Sequence, residues 1–410
     1  MQKTARWPRI RKFFNDVHLW LGLSSGLIVI AICFSGTVYV WNTELTEKAV
    51  PHLYTVKDHA GTRIPADSFL KKVSAIAKAP VVSLVVPADP GRTYQFTTRK
   101  QGADARGGNV TWFINPYTGE ITGNSTEKTG TRTFMATMFS LHRWLLLDRV
   151  GQKELGSTIT GWATIIFTLG CMTGLIIWFP QKIKAWKQGL KIKFSGNWKR
   201  TNHDLHNTLA FYAVFFLLLM GLTGPQWSFE WYRTGLQKTL GTYKEKPAAS
   251  PMAKKEKKEG QPRKDSADGA KPSLLSVNEY LAAADKVLPY RGDYMVTLPG
   301  EASPAVNITK NKLGFFAPAA PDRLSLDAKS AEVKKTEKFR DKPFNERVAG
   351  SIKAIHVGNV YGTFTKIIYF LVCLIATSLP ITGTLIWWNK LKKKRRRNTY
   401  SIATQQLQEV

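Results

Sequence analysis

The sequence HNTLAFYAVFFLLLMGLTG, residues 206–224, has no Asp, Glu, Lys or Arg and begins with a histidine. An α-helix of this length rises roughly 28 Å, close to the thickness of the hydrocarbon core of a bilayer. The same design occurs in residues 18–36, HLWLGLSSGLIVIAICFSG. In each stretch a Ser-Gly or Thr-Gly pair ends the run, and the glycine lies 18 positions after the histidine. The chain therefore contains two related, histidine-headed segments that can span a membrane.

Four segments in all predict transmembrane helices, at residues 19–41, 158–179, 206–224 and 365–388. The apolar fraction of the whole chain is only 43%, because these segments are averaged with long polar ones. The first span is longer than a signal-peptide core of about 7 to 15 residues, and no convincing small-x-small cleavage site follows it. We therefore expect the first span to be retained as an anchor.

The net charge of +30 would indicate nucleic-acid binding in a soluble protein. Here, however, basic residues are concentrated in three short segments beside the predicted spans, at 6–12, 182–200 and 392–397. If the chain crosses four times, all three fall on the cytoplasmic side, as the positive-inside rule requires. We expect both termini in the cytoplasm, contact of the basic segments with lipid headgroups, and no nucleic-acid partner. A nucleic-acid-binding tail at 392–397 is the alternative.

Two long segments are expected on the outer side of the membrane. Residues 42–130 contain a helix-like stretch, strand-like runs, and the turn-forming sequence NPYTGEI at 115–121. Residues 225–344 repeat this order more loosely, with strands predicted at 293–298, 305–310 and 312–318. A Lys-rich insertion at about 244–271 has the composition of a disordered segment.

The second and fourth spans also match each other. TGLIIW at 173–178 parallels TGTLIW at 382–387, and each span follows an apolar stretch with one histidine, His142 or His356. The predicted fold is therefore an α-helical membrane protein with four spans in a duplicated unit and two outer α+β domains. Functional sites of duplicated membrane proteins usually lie between the repeats. Chance similarity of apolar helices is the alternative.

Histidines are rare, and five of the seven lie at or beside predicted spans: His18, His142, His203, His206 and His356. Ionisable side chains at membrane depth are costly and indicate function. On the cytoplasmic side His18 and His206 begin spans, and on the outer side His142 and His356 precede spans. Two neutral imidazoles from different helices can hold a haem iron from both faces. His203 is an alternative ligand to His206, or its partner.

Other interpretations remain open. The histidines could bond only to backbone or headgroups, or form a non-haem metal site or a proton relay, although the last two usually recruit acidic groups that the spans lack. The three cysteines, Cys33, Cys171 and Cys373, lie inside spans and are expected to be small apolar side chains. Because the chain has no CxxCH motif, any haem is expected to be of the non-covalent b type.

The helix carrying His356 raises a question of length. A continuous helix from His356 to Trp388 would be roughly 50 Å long. Either this helix protrudes outward, or it breaks near Gly358 and Gly362 and leaves a short helix that dips into the outer leaflet before the span. The same question applies to His142, which is separated from its span by LDRVGQKELG.

Several motifs together resemble the PepSY-associated transmembrane family over nearly the whole chain: HLWLG, INPYTGEITG, SLHRWLLL, TGLIIWFP, DLHNTLA, IHVGNVYG and ITGTLIWW. The resemblance implies a bacterial inner-membrane protein of iron acquisition with four spans, periplasmic PepSY domains and, in the ferric-siderophore reductases, two haems b. It implies that His18, His142, His206 and His356 are haem ligands, paired His18/His206 and His142/His356. The second PepSY segment and the Lys-rich insertion depart from the family pattern, which leaves the substrate surface open.

With this resemblance, the chain is predicted to have eight segments. They are the cytoplasmic N-terminus and first span (1–41), PepSY-like domain 1 (42–130), outer histidine segment and second span (131–179), cytoplasmic basic loop (180–202), third span (203–224), PepSY-like domain 2 (225–344), outer histidine segment and fourth span (345–388), and cytoplasmic basic tail (389–410).

The predicted function is electron transfer across the inner membrane to reduce a ferric siderophore or another ferric chelate in the periplasm. No flavin or nicotinamide motif occurs in the chain, so the electron donor is expected to be a cytoplasmic protein or a quinol. Trp112 and Tyr117 are candidates for chelate contact, although packing is the simpler role for both. The alternatives are a non-catalytic protein that binds peptides or regulates a protease, and an electron-carrying subunit of a separate reductase.

Overall fold

The structure is a computed structural model that describes residues 6–58, 60–99, 108–179, 186–245, 274–300 and 304–408. His59 and most of the Lys-rich insertion predicted at 244–271 lie outside these residues. The chain forms two compact units. The helical unit comprises Met1–Ala49, Thr129–Leu236 and Ser351–Val410, and the sheet unit comprises Val50–Lys128 and Gln237–Gly350.

The four predicted spans are confirmed as four helices that are long and apolar enough to cross a membrane: Arg9–Tyr39, Lys153–Trp178, Trp198–Trp227 and Gly362–Lys393. Large apolar side chains remain exposed on them, among them Leu27, Trp162 and Phe215. Such exposure would be unfavourable in water and is expected where a helix faces lipid. These helices therefore have the surface of a multi-pass membrane protein.

The α-helices are numbered in chain order. They are α1 (Arg6–Tyr39), α2 (Asn42–Ala49), α3 (Pro51–Tyr54), α4 (Leu70–Ala77), α5 (Gly130–Trp144), α6 (Lys153–Trp178), α7 (Trp186–Gly189), α8 (Trp198–Asp204), α9 (Ala210–Thr223), α10 (Glu230–Thr239), α11 (Val277–Val287), α12 (Phe344–Val357) and α13 (Gly362–Gln408). A π-helical turn, Leu205–Leu209, joins α8 to α9.

Small residues let the spanning helices approach closely. Helix α1 packs against α5, α6 and α13, and α9 packs against α6 and α13. A Cβ atom at Gly26 of α1 would lie 3.1 Å from Pro380 of α13, and one at Gly221 of α9 would lie 2.3 Å from the Thr168 hydroxyl of α6. Helices in lipid gain stability from such close packing, because no hydrophobic effect drives them together.

The helix carrying His356 breaks as one of the two sequence-based alternatives predicted. Helix α12 ends at Val357, Gly358 has φ +72°, and α13 begins at Gly362 with φ +57°. Gly358 has no space for a side chain, because a Cβ would lie 2.5 Å from the Tyr369 ring. His142 likewise sits near the end of a short helix, α5, which stops where Leu145 and Leu146 adopt positive φ.

The sheet unit joins the strands of both outer segments in one sheet. Its strands form one antiparallel sheet in the order β4-β3-β2-β1-β5-β6-β7-β8. They are β1 (Val81–Val86), β2 (Tyr94–Arg99), β3 (Asn109–Ile114), β4 (Ile121–Asn124), β5 (Gly292–Thr297), β6 (Val306–Lys312), β7 (Asp322–Leu326) and β8 (Val333–Glu337). Strand β1 pairs with β5 from Ser83↔Thr297 to Val86↔Tyr294. This pairing removes an exposed edge from each four-stranded meander, which is the physical reason for a shared sheet.

One core holds the sheet unit together. Large side chains from strands and helices of both outer segments are buried in it, including Phe69, Leu84, Phe96, Tyr280, Ile308 and Leu326. Those from the strands come from alternate positions, as a sheet with one covered face requires. Each outer segment therefore contributes to the same hydrophobic core.

The prediction of a strand at 312–318 is wrong. Strand β6 ends at Lys312, Gly314 has φ +125°, and Phe315 and Phe316 lie in a turn. The last two strands are β7 and β8 instead. Strand β8, VKKTE, escaped notice because it is an edge strand with three of its five residues exposed, so its hydrophobic alternation is weak.

Candidate functional site

The structure brings four of the five membrane-associated histidines together as two pairs. His18 and His206 form the span pair, with ring centroids 6.3 Å apart and ring planes at 74°. His142 and His356, on the short helices that precede α6 and α13, form the cap pair at 6.3 Å and 65°. Two imidazoles that share one metal ion through bonds of about 2 Å place their ring centroids roughly 6 Å apart. Both pairs are therefore spaced to bind one metal ion each.

Threonine hydroxyls fix the tautomer of one histidine in each pair. The Thr382 hydroxyl donates to the Ser378 carbonyl at 3.0 Å, so its oxygen is left to accept from His206 Nδ1 at 2.9 Å. The Thr223 hydroxyl donates to a carbonyl of its own helix in the same way and accepts from His356 Nδ1 at 2.9 Å. In both rings the proton is therefore on Nδ1, which leaves the lone pair on Nε2.

Backbone carbonyls do the same for the other two histidines. His142 Nδ1 donates to the Ile32 carbonyl at 2.9 Å, and His18 Nδ1 donates to the Gly170 carbonyl at 3.0 Å. A carbonyl can only accept, so these rings have the same tautomer as their partners. Within the described residues, none of the four rings makes a hydrogen bond through Nε2. An imidazole held at Nδ1 with Nε2 free is the usual state of a metal-binding histidine.

A glycine packs against each ring. A Cβ atom would lie 3.0 Å from His18 at Gly174, 3.2 Å from His142 at Gly36, 3.2 Å from His206 at Gly383 and 3.4 Å from His356 at Gly224. In the sequence the Ser/Thr-Gly motif only indicated a repeat. In the structure it packs against the histidine rings. Its glycine makes room for an imidazole, and in three of its four occurrences its threonine bonds to that imidazole.

The glycine that lies 18 residues after a histidine of the span pair contacts the cap pair. Gly36 contacts His142 rather than His18, which lies on the same helix. Similarly, Gly224 contacts His356 rather than His206. Helix α1 and the third spanning helix, Trp198–Trp227, thus each carry a histidine of the span pair and, 18 residues later, a glycine that contacts the cap pair. Eighteen residues of α-helix correspond to about 27 Å.

The structure places His206, and not His203, beside His18. The His203 side chain is 52% exposed, and its ring lies 3.7 Å from Asp204 and 3.1 Å from Asn207. His206 lies within the π-helical turn Leu205–Leu209, a local irregularity that is often found at functional sites. Sequence spacing favoured His206, but the π-helical turn left no signal in the sequence.

The cap pair has an aromatic and a cationic neighbour. The Trp227 ring centroid lies 4.9 Å from that of His356. Burial lowers the pKa of both His142 and His356, and the nearby Arg143 guanidinium acts in the same direction. These imidazoles are therefore neutral near pH 7, as ligands must be.

His52, Trp112 and Tyr117 have hydrogen-bond partners within the sheet unit, and the three cysteines are unpaired with one another. His52 pairs with Glu127 at 3.1 Å in the sheet unit. There, the Trp112 indole donates to the Thr98 hydroxyl and the Tyr117 hydroxyl donates to the Pro90 carbonyl. The cysteines at 33, 171 and 373 are free thiols.

The donor set fits a haem better than a bare metal ion. Across the described ranges, no group of three or more His, Cys, Asp or Glu side chains could hold a metal ion. Each pair offers two nitrogen ligands, whereas protein zinc sites usually take three or four protein ligands. Two axial imidazoles suffice when a porphyrin supplies the other four donors.

One family model matches the chain. It is described as the PepSY-associated TM region and covers residues 16–390. The match includes all four paired histidines and both outer segments, and it confirms the resemblance seen in the sequence motifs. No curated protein matches the chain.

Proposed function

The chain belongs to the PepSY-associated TM region family, and we propose that it is a haem-b protein of the bacterial inner membrane that reduces ferric siderophores or other ferric chelates in the periplasm. The observation that carries this proposal is the pair of matched histidine sites, each with centroids 6.3 Å apart. The span pair would hold one haem and the cap pair a second. When bound, the haems would supply one-electron redox chemistry.

The residues of the chain hold such a group in three ways. The imidazoles offer Nε2 from two opposed helices, so the ligands are fixed by the bundle. Their Nδ1 protons are held by threonine hydroxyls or carbonyls, which makes each ring a more basic ligand. The facing glycines permit close approach of the rings to the neighbouring helices. Together these features pre-organise two ligand pairs before any group binds.

The separation of the pairs supports transfer across the membrane. On α1, His18 of the span pair lies 18 residues before Gly36, which contacts the cap pair. This spacing corresponds to about 27 Å of helix. The basic segments at 6–12 and 392–397 favour a cytoplasmic location for the helix ends nearest the span pair. An electron from a cytoplasmic donor or a quinol would enter at the span pair and leave at the cap pair.

The chemistry of the acceptor explains why reduction matters. Oxygen-donor chelators bind Fe(III), a hard cation, far more tightly than Fe(II). One electron delivered to the ferric chelate therefore gives a ferrous complex that releases its metal. The donor loses that electron, so one donor electron is consumed for each ferrous ion released.

Haem content of the detergent-purified protein is the first test. We expect about two haems b per chain by pyridine haemochrome, and about one in each of the variants His206→Ala and His142→Ala. His203→Ala is the matched control, because it removes a neighbouring histidine outside the pairs, and it should keep both haems. A wild-type protein without haem would reject the proposal and favour a peptide-binding or regulatory protein.

Reduction of a chelate is the second test. The protein is reduced chemically, freed of reductant and mixed with ferric hydroxamate or ferric citrate in the presence of a ferrous-specific dye. We expect one ferrous ion for each electron lost from the protein. A haem-loaded protein that stays reduced would instead identify an electron-carrying subunit of a separate reductase.

A further inference from the structure

Arg143 follows a histidine of the cap pair and lies close to both members of that pair. It is the penultimate residue of α5, and its guanidinium interacts electrostatically with His142 and with His356. Its Nη2 donates to the Trp227 carbonyl at 3.2 Å, and Trp227 is the residue whose ring packs on His356. A guanidinium is thus held beside the cap pair by a residue of that site.

Arg143 has no carboxylate counterion among the described residues. In the part of the chain that the structure describes, no Asp or Glu lies within ion-pair distance of Arg143. Its further neighbour is the Trp144 ring, with the guanidinium carbon 6.0 Å from the ring centroid. The Arg143 side chain is only partly exposed to water and has no counterion among the described residues. An unpaired cation in such a position is costly unless an anion joins it.

Two other cations of the helical unit have carboxylate partners. Lys366, whose side chain is only 13% exposed, pairs with Glu44 at 2.6 Å. Near the span pair, Arg200 pairs with the nearly buried Asp204 at 2.9 Å. Lys366 and Arg200 thus have the carboxylate partner that Arg143 lacks among the described residues.

We infer that Arg143 binds a carboxylate of the group held between His142 and His356, and that its positive charge raises the reduction potential of this site above that of the span pair. The inference rests on the proposed function, in which the group is haem b and the carboxylate is a propionate. Guanidinium groups bind carboxylates through paired, charge-assisted hydrogen bonds. Both sites have the same axial ligands, so a nearby charge is a direct way to separate their potentials.

The consequence is a direction for the electron. A positive charge beside an iron favours the reduced form, which carries one positive charge less. The cap pair would then be the better electron acceptor, and transfer from the span pair to the cap pair would be downhill. Arg143 is thus a positioning residue for the bound group and sets the order of the two potentials.

The test is a redox titration of the purified full-length protein, followed by visible absorption. Arg143→Gln is compared with wild type, with Arg143→Lys, and with the control Arg149→Gln. Arg149 lies six residues further along and hydrogen-bonds to Thr137, so the control removes an equal charge from the same region. The His142→Ala protein identifies which of the two components belongs to the cap pair.

We expect Arg143→Gln to shift the cap-pair component to lower potential and to leave the span-pair component in place. Arg143→Lys should restore most of the shift, and Arg149→Gln should give little or none. Two unshifted components in a doubly loaded Arg143→Gln protein would overturn the inference and leave the proposed function intact. Absence of haem from the wild type would overturn the proposed function itself.

Discussion

Polar groups are buried in both units of this protein, but they are satisfied in different ways. In the sheet unit, Lys310 is 1% exposed, and its ammonium bonds to Asp285 and to the Leu288 carbonyl, both at 2.7 Å. Two tyrosine rings, Tyr290 and Tyr294, complete its surroundings at 4.7 and 4.6 Å. In the helical unit, the four paired imidazoles are satisfied only at Nδ1.

The difference separates structural burial from a binding site. A buried polar group with all its partners inside the chain stabilises the fold and needs nothing further. The four imidazoles are partly buried and each has one bonded and one free ring nitrogen, which is the arrangement that we propose for binding a partner outside the chain.

The glycines that face the histidines should be essential to the sites they serve. Gly36→Val would place side-chain atoms against the His142 ring, since even a Cβ lies 3.2 Å from it. We expect loss of about one of two haems per chain, by pyridine haemochrome. Gly22→Val on the same helix is the control, because a Cβ there meets no atom within 4 Å. Equal haem content in both variants would contradict the assigned role of Gly36.

The threonine hydroxyls should affect haem binding less than the ligands do. Thr382→Val removes the hydroxyl that accepts from His206 Nδ1. Loss of such a partner typically weakens metal binding about 10- to 100-fold, so we expect faster haem transfer to an excess of apomyoglobin. Thr377→Val, whose hydroxyl bonds only to the Cys373 carbonyl, is the control.

The variant Thr173→Val tests the same effect on haem transfer at His18, the other member of the span pair. Thr173→Val also removes a hydroxyl near a histidine, but His18 Nδ1 keeps the Gly170 carbonyl at 3.0 Å. We therefore expect faster haem transfer than in wild type, but a smaller effect than in Thr382→Val. If Thr173→Val loses haem as quickly as Thr382→Val does, the carbonyl does not hold the tautomer.

Lys310→Met should weaken the sheet unit and leave the haem sites intact. Methionine retains the apolar stem at a core position of β6 but loses the ion pair and the contacts to the tyrosine rings. Asp285 is 57% exposed and can return to water, so the cost is about 1 to 3 kcal/mol. Hydrogen exchange of β5 to β7 in the full chain should be faster, with two haems retained. A fall in haem content would contradict the separation of structural and binding roles.

The smallest predicted effect is a pH dependence of the sheet unit. Hydrogen bonds from Lys335 and Lys342 lower the pKa of Glu337 from its ordinary value of 4.5 to about 2. Because the folded-state pKa is depressed, the stabilisation is present above pH 4.5 and is lost as the pH falls toward 2. Solvent screening limits it to less than about 1 kcal/mol. Hydrogen exchange of β8 should rise over this range in wild type and less so in Glu337→Gln.

The sequence predicts the spans and the histidines because both have strong local signals. Apolar runs of helical length and rare ionisable residues at their ends are visible without any knowledge of contacts. The break before the fourth span was also foreseeable, because Gly358 and Gly362 mark it. The contact of Gly36 with His142 rather than with His18 depends on helix packing, and no local sequence pattern indicates it.

The single sheet shows the same limit. The pairing of β1 with β5 joins Ser83 to Thr297, which lie more than two hundred residues apart, and nothing in either strand specifies the other. Strand β8 was missed because its lysines hide the alternation, and Phe315 and Phe316 were misassigned because exposed aromatic residues in a turn resemble a strand. Arg143 was passed over because one arginine beside a histidine carries no pattern; only its missing counterion is informative.

The shared sheet also makes each half of the chain depend on the other during synthesis. Strands β1 to β4 are made long before β5, so the edge of β1 has no partner until the third span and much of the second outer segment have emerged. Contacts over such distances form late and slowly. The same division leaves His18 and His142 in the first half and His206 and His356 in the second. Neither half contains a complete pair, so assembly of the halves is a condition for either site to exist.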